Sequence, residues 1–132
     1  MKLLADTSAL LALVLRDDRH HAAATAFVRT SQPTRFVFTE LILAETATHL
    51  RAVAGAARSA AIVGDLLASR RYELIFLDLE LLKGALAQMQ RFADKRLSLT
   101  DCASFEVMAR LGLDGAFTFD RDFRDCGFRM LP

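Results

Sequence analysis

Short apolar runs that end in a carboxylate constrain this chain more than any other feature. Lys2–Ala5 is closed by Asp6, and the run over 115–119, with glycine at its entrance, is closed by Asp120. Runs so short and so uniformly apolar suit strands covered on both faces, which is the habit of parallel sheets. Residues 36–38, 72–77 and 128–131 are further candidate strands, rich in Phe, Tyr and β-branched side chains. Between them the spacing predicts helices over 8–16, 19–30, 40–54, 56–71, 80–95 and 100–111. Thr7 or Ser8 is placed to cap the first, and Thr39 with Glu40 supplies a cap and a first-turn acid for the third. Gly55 separates the third helix from the fourth, and Gly112 closes the last. Strands separated by helical segments give an α/β class with a mostly parallel, four- to five-stranded sheet.

The 132 residues, 53% of them hydrophobic, are enough for one domain over 1–132 with its own core and no staples. A net charge of +1 excludes a protein that grips a polyanion by bulk electrostatics, so any nucleic-acid contact must be local or run through a cation. The bias towards 14 Arg over 3 Lys accompanies 22 Ala, which reads as codon composition before it reads as phosphate chemistry. Cys102 and Cys126 have no metal-ligand spacing and read as reduced thiols of a cytoplasmic protein. The apolar N-terminus resembles a signal peptide, but Asp6 interrupts it and charged residues 16–19 end it short of membrane length.

In open parallel sheets, ligands bind beyond the carboxyl ends of the strands where strand order reverses. Asp6, Thr7 and Ser8 follow the first strand; Asp120, Arg121 and Asp122 follow the strand over 115–119. Asp101 stands at the start of the helix preceding that strand, and Glu45 lies inside the helix after Phe38. Such carboxylates gathered without cations would repel by several kcal/mol per pair at about 4 Å and an effective dielectric near 20. A divalent cation removes the objection, and an all-oxygen ligand set suits Mg²⁺ or Mn²⁺ rather than zinc.

Each acid also has a plainer explanation. Asp6 is positioned to cap a helix, Ser98 and Asp101 form an S-x-x-D capping pattern, and Asp120 and Asp122 are ordinary turn residues. Phe105 and Met108, at i+4 and i+7, make the side of the helix bearing Asp101 apolar, an odd place for a purely structural carboxylate. The best apolar stripe of the third helix is Leu43, Ala47, Leu50 and Ala54, which puts Glu45 on the opposite, solvated side.

Set in order, these segments resemble the PIN domain and its compact VapC-type bacterial toxins. The residues carrying the likeness are Asp6-Thr7-Ser8 after an apolar strand, Glu45 within residues 39–45, Asp101 within residues 99–103, and residues 116–123. The last of these is similar to a T-x-D-x-D-F signature and is the most specific. The likeness spans residues 2–131. It implies a three-layer α/β/α sandwich and a Mg²⁺- or Mn²⁺-dependent endoribonuclease acting on tRNA, rRNA or mRNA. Asp6, Glu45, Asp101 and Asp120 would be the acidic quartet, with Asp6, Asp101 and Asp120 on the metal. Asp122 would be auxiliary, and Thr7, Ser8 and Thr118 would support the carboxylates. A cognate antitoxin and a homodimer also follow from the resemblance alone. Glu40, five residues before Glu45, is assigned to the helix dipole.

Arg121 and Arg124 flank the site and are candidates for phosphate contact. His20 and His21 are read as surface residues, and the stripe over 79–89 as core or dimer surface. The carboxylate two residues after the first that a haloacid-dehalogenase-like phosphatase needs is replaced by Ser8. The paired acids and lysine of a response-regulator receiver are missing, as is a Gly-rich phosphate loop. The competing reading is a PIN-like module that binds RNA or protein without cutting.

Overall fold

The computed structural model describes residues 1–132. Five strands form one sheet in the order β3-β2-β1-β4-β5, parallel throughout. They are β1 (Lys2–Ala5), β2 (Arg35–Thr39), β3 (Tyr72–Ile75), β4 (Gly115–Phe117) and β5 (Met130–Leu131). Between β1 and β2 lie α1 (Thr7–Val14) and α2 (His21–Thr30); between β2 and β3 lie α3 (Glu40–Ala54) and α4 (Ala56–Ala68). α5 (Leu79–Arg91) and α6 (Leu99–Leu111) join β3 to β4, and one further turn, α7 (Asp122–Asp125), precedes β5. The helices flank the sheet, α1 to α4 as one connected group and α5 with α6 as a pair, giving the three-layer α/β/α architecture.

Burial on both faces explains the uniform apolar runs: Leu3, Leu4, Ala5, Phe36, Val37, Phe38, Ala116 and Phe117 are wholly buried. Phe27 packs edge-on against Phe36 and, tilted, against Phe117, while Phe105 meets Phe92 and Phe123 edge-on and stacks on Phe128. The chain runs outward from β1 to β3, then returns to place β4 against the other edge of β1. Strand order therefore reverses between β1 and β4, and Asp6 and Asp120 follow those two strands.

Several elements are shorter than their sequence pattern, for identifiable reasons. The strand expected over 115–119 ends at Phe117, because the Thr118 hydroxyl turns to Asp6 and the Phe119 N–H donates to Ser8. The strand expected over 72–77 ends at Ile75, because the Leu77 N–H donates to the Glu40 carboxylate at 2.9 and 3.0 Å. Glu40 thus ties the exit of β3 to the start of α3, a firmer role than dipole compensation. Asp6, not Thr7 or Ser8, is the residue that caps α1. The buried stripe of α3 is Ile42, Thr46 and Leu50, so the stripe through Leu43, Ala47 and Ala54 lies at its margin. At four residues, α7 is too short for periodicity to announce.

Candidate active site

The sheet register fixes the centre of the site. Ala5 is paired with Phe117, and the Asp6 N–H donates to the Phe117 carbonyl at 3.0 Å, so Asp6 lies beside Thr118 at the carboxyl edge. Asp6 is 5% exposed. Its Oδ2 accepts from Ser8 Oγ at 2.9 Å, from Thr118 Oγ1 at 3.0 Å and, more weakly, from the Ser8 N–H at 3.4 Å. Each hydroxyl carries one proton and gives it to Asp6, which leaves their lone pairs to accept. Ser8 Oγ accepts from the Phe119 N–H, and Thr118 Oγ1 accepts from the Asp120 N–H, both at 3.0 Å. The segment after β4 is thereby stitched to the turn after β1, and Asp6 Oδ1 is left with no side-chain partner.

Asp101 is half-buried and closes a capping box with Ser98. Its carboxylate accepts from the Ser98 N–H at 3.1 Å, and its own N–H donates to Ser98 Oγ at 3.1 Å. The capping reading and the inward-facing reading both hold, since Phe105 and Met108 on the same side of α6 are buried. Asp120 is half-buried and accepts the Asp122 N–H at 2.9 Å, the turn role that Asp favours. Asp122 is half-buried, and its carboxylate has no hydrogen-bond partner within the chain. Glu45 is exposed, and its Oε1 accepts from Thr7 Oγ1 at 3.2 Å, which brings the middle of α3 to the start of α1. Periodicity therefore placed Glu45 correctly on a solvated face, and that face borders the same sheet edge.

The electrostatics confirm that these groups feel one another. Burial raises Asp6 from 3.8 to about 6; the Ser8 and Thr118 hydroxyls pull it down, and the Asp101 carboxylate pushes it up. Burial likewise raises Asp101, opposed by the Ser98 bonds and reinforced by the Asp120 and Glu45 charges. Four carboxylates from four separate segments meet at one edge. They form an open cluster: no three His, Cys, Asp or Glu side chains close into a metal cage. Mg²⁺ does not need one, because it keeps several waters and takes only one or two carboxylates beside its phosphates.

The two arginines differ. Arg121 is exposed with no acidic partner, whereas Arg124 pairs with Asp125 at 3.3 Å on the surface. His20, read from the sequence as a surface residue, is half-buried. It occupies the N-cap of α2 without capping it, and its ring lies flat on Phe119 with centroids 4.3 Å apart and planes 3° apart.

The PIN-domain family model matches residues 3–129. The 23S rRNA-specific endonuclease VapC20 of Mycobacterium tuberculosis is 33% identical over 131 residues, covering 93% of this chain and 92% of that protein. The crystal structure of Mycobacterium tuberculosis VapC20, described as a sarcin–ricin loop cleaving toxin, superposes with a TM-score of 0.88 at 27% identity, over 96% of each chain. VapBC2 from Rickettsia felis shares the fold at 9% identity, with a TM-score of 0.75 over the full length of both chains.

Proposed function

Because the chain belongs to the PIN-domain family, we propose that it is a divalent-metal-dependent endoribonuclease, the toxin of a toxin–antitoxin pair, cutting at the carboxylate cluster around Asp6. The observation that carries this reading is the conflict at Asp6. The fold buries a carboxylate next to Asp101, which in turn feels Asp120 and Glu45, and supplies no arginine or lysine salt bridge to any of the four. Structural carboxylates are normally paired or exposed. A cation at this edge offsets the gathered negative charge, and the all-oxygen donor set fits Mg²⁺ or Mn²⁺.

Asp6, Asp101 and Asp120 would hold the ion. When bound, such an ion polarises a phosphodiester oxygen and lowers the pKa of a coordinated water. The chain's own residues set the geometry. Ser8 and Thr118 fix the rotation of the Asp6 carboxylate, and the Ser98 N–H fixes that of Asp101. The Asp122 N–H holds Asp120, and Thr7 holds Glu45 at the same sheet edge. Asp122 is auxiliary, and the free guanidinium of Arg121 is placed for a backbone phosphate beside the acids; Arg124 reaches one only by leaving Asp125.

The likeness to VapC20 makes 23S rRNA, and its sarcin–ricin loop, the first substrate to try. A toxin must be neutralised in the cell that makes it, which argues for an antitoxin and a cytoplasmic site of action. No helix is long and apolar enough to cross a membrane. A homodimer is supported by α5, whose Leu79, Leu86 and Met89 are 65, 53 and 38% exposed along one face.

The test is a cleavage assay on ribosomes and total RNA with Mg²⁺ or Mn²⁺, repeated with EDTA. Wild type should give discrete cuts that EDTA and Asp6→Asn each abolish. Identical RNA patterns from wild type and Asp6→Asn under every condition would sink the nuclease reading in favour of a non-cutting module.

A further inference from the structure

The ring of His20 stacks on that of Phe119, a residue adjacent in sequence to Asp120. Phe119 lies between Thr118 and Asp120, and its N–H is bound to Ser8, so its ring is anchored to the site's own backbone. Its inner contact is Phe117, met edge-on at 6.2 Å, and its outer contact is the His20 ring, parallel at 4.3 Å. His20 is half-buried, and no second aromatic ring stacks on it.

Three local choices keep that imidazole flat and in place. Asp18 accepts the His20 N–H at 2.8 Å, fixing the backbone at the start of α2. The side chain gives up the capping bond that Ser, Thr, Asp or Asn would make at this position, a departure from local preference of the sort expected at functional sites. Arg19 Nε donates to His20 Nε2 at 3.1 Å, which holds the ring edge in place. That bond uses only Nε of Arg19, which is exposed and has no acidic partner, so both terminal amino groups remain unused.

A flat aromatic face next to a free guanidinium fork is the combination that binds one unstacked nucleotide, base on the ring and phosphate on the fork. We propose that His20 and Arg19 form a nucleotide subsite that seats one splayed-out base beside the phosphodiester held at the carboxylates. This rests on the nuclease reading above. The subsite supplies ground-state binding and register. Its loss raises KM and blurs the cut position, while kcat at saturating RNA changes little.

The experiment starts from the cut that wild type makes in total RNA. A labelled oligonucleotide spanning that cut is titrated by fluorescence anisotropy with proteins carrying Asp6→Asn to prevent cleavage. Adding His20→Ala should weaken binding about tenfold, the scale of one base–aromatic stack. Adding His20→Phe, which keeps the stack and loses the imidazole, should stay within about twofold. An oligonucleotide abasic at the seated position should bind the His20 and His20→Ala proteins alike. Thermal melting of each variant excludes unfolding as the cause. The subsite is overturned if, in the Asp6→Asn background, His20→Ala binds as its parent does, or if His20→Phe is as weak as His20→Ala. A wild type that cuts no RNA overturns the nuclease reading itself, and the subsite with it.

Discussion

Burial and the Asp101 carboxylate hold Asp6 at a pKa of about 6, against 3.8 without them, despite two hydroxyl donors. Without metal, folding therefore favours the protonated acid relative to the unfolded chain. The stabilisation is full below about pH 4 and is lost as pH rises through 6, which at 1.36 kcal/mol per unit amounts to about 3 kcal/mol. Asp6→Asn, which keeps an acceptor for Ser8 and Thr118, should raise the Tm of metal-free protein at pH 8 and lose that advantage at pH 4. Saturating Mn²⁺ should reverse the order at pH 8 by stabilising wild type alone. Equal melting of the two proteins at both pH values would remove the electrostatic conflict from Asp6. The sequence disclosed Asp6 as a carboxylate closing a strand. It could not disclose which oxygen stays free, since that depends on Thr118, 112 positions away.

At the scale of elements, legibility followed the reach of the interactions. The buried strands were plain, because burial on both faces leaves an unbroken apolar run in the sequence. Their ends were not, because the terminators are side chains from elsewhere: Glu40 for β3, and Asp6 with Ser8 for β4. The pairing of α5 with α6 was equally silent, although it sets the platform from which Asp101 projects. Gly84 lies directly under the Glu106 side chain, whose carboxylate is held by Arg110 at 2.8 Å and Gln88 at 3.1 Å. Alanine there improves helix propensity by about 1 kcal/mol but displaces a pinned side chain and its hydrogen bonds, worth about 1–3 kcal/mol. Gly84→Ala should therefore destabilise the fold by about 1 kcal/mol in urea unfolding, and should become stabilising in a Glu106→Ala background. A stabilising Gly84→Ala in the wild-type background would show that Glu106 yields freely.

For the whole molecule, a net charge of +1 hides an uneven distribution. Unpaired carboxylates collect where strand order reverses between β1 and β4, while Arg121, between Asp120 and Asp122 in the chain, is unpaired. An anionic RNA approaching that edge meets repulsion from the acids unless a cation intervenes, so metal binding and substrate binding are coupled by charge alone. The position of the edge was legible from strand–helix alternation, since ligand sites in such sheets lie at the reversal. Its membership was legible only in part. Glu45 needed the Thr7 contact to join the set, and His20 needed the fold to carry it to Phe119. The most direct measurement is calorimetric titration of Mn²⁺ into wild type and into Asp6→Asn, Asp101→Asn and Asp120→Asn separately. Saturable binding in wild type, weakened about tenfold or more by each substitution, is the predicted result. Absence of binding in wild type, or binding that none of the three substitutions alters, would contradict a shared cation site.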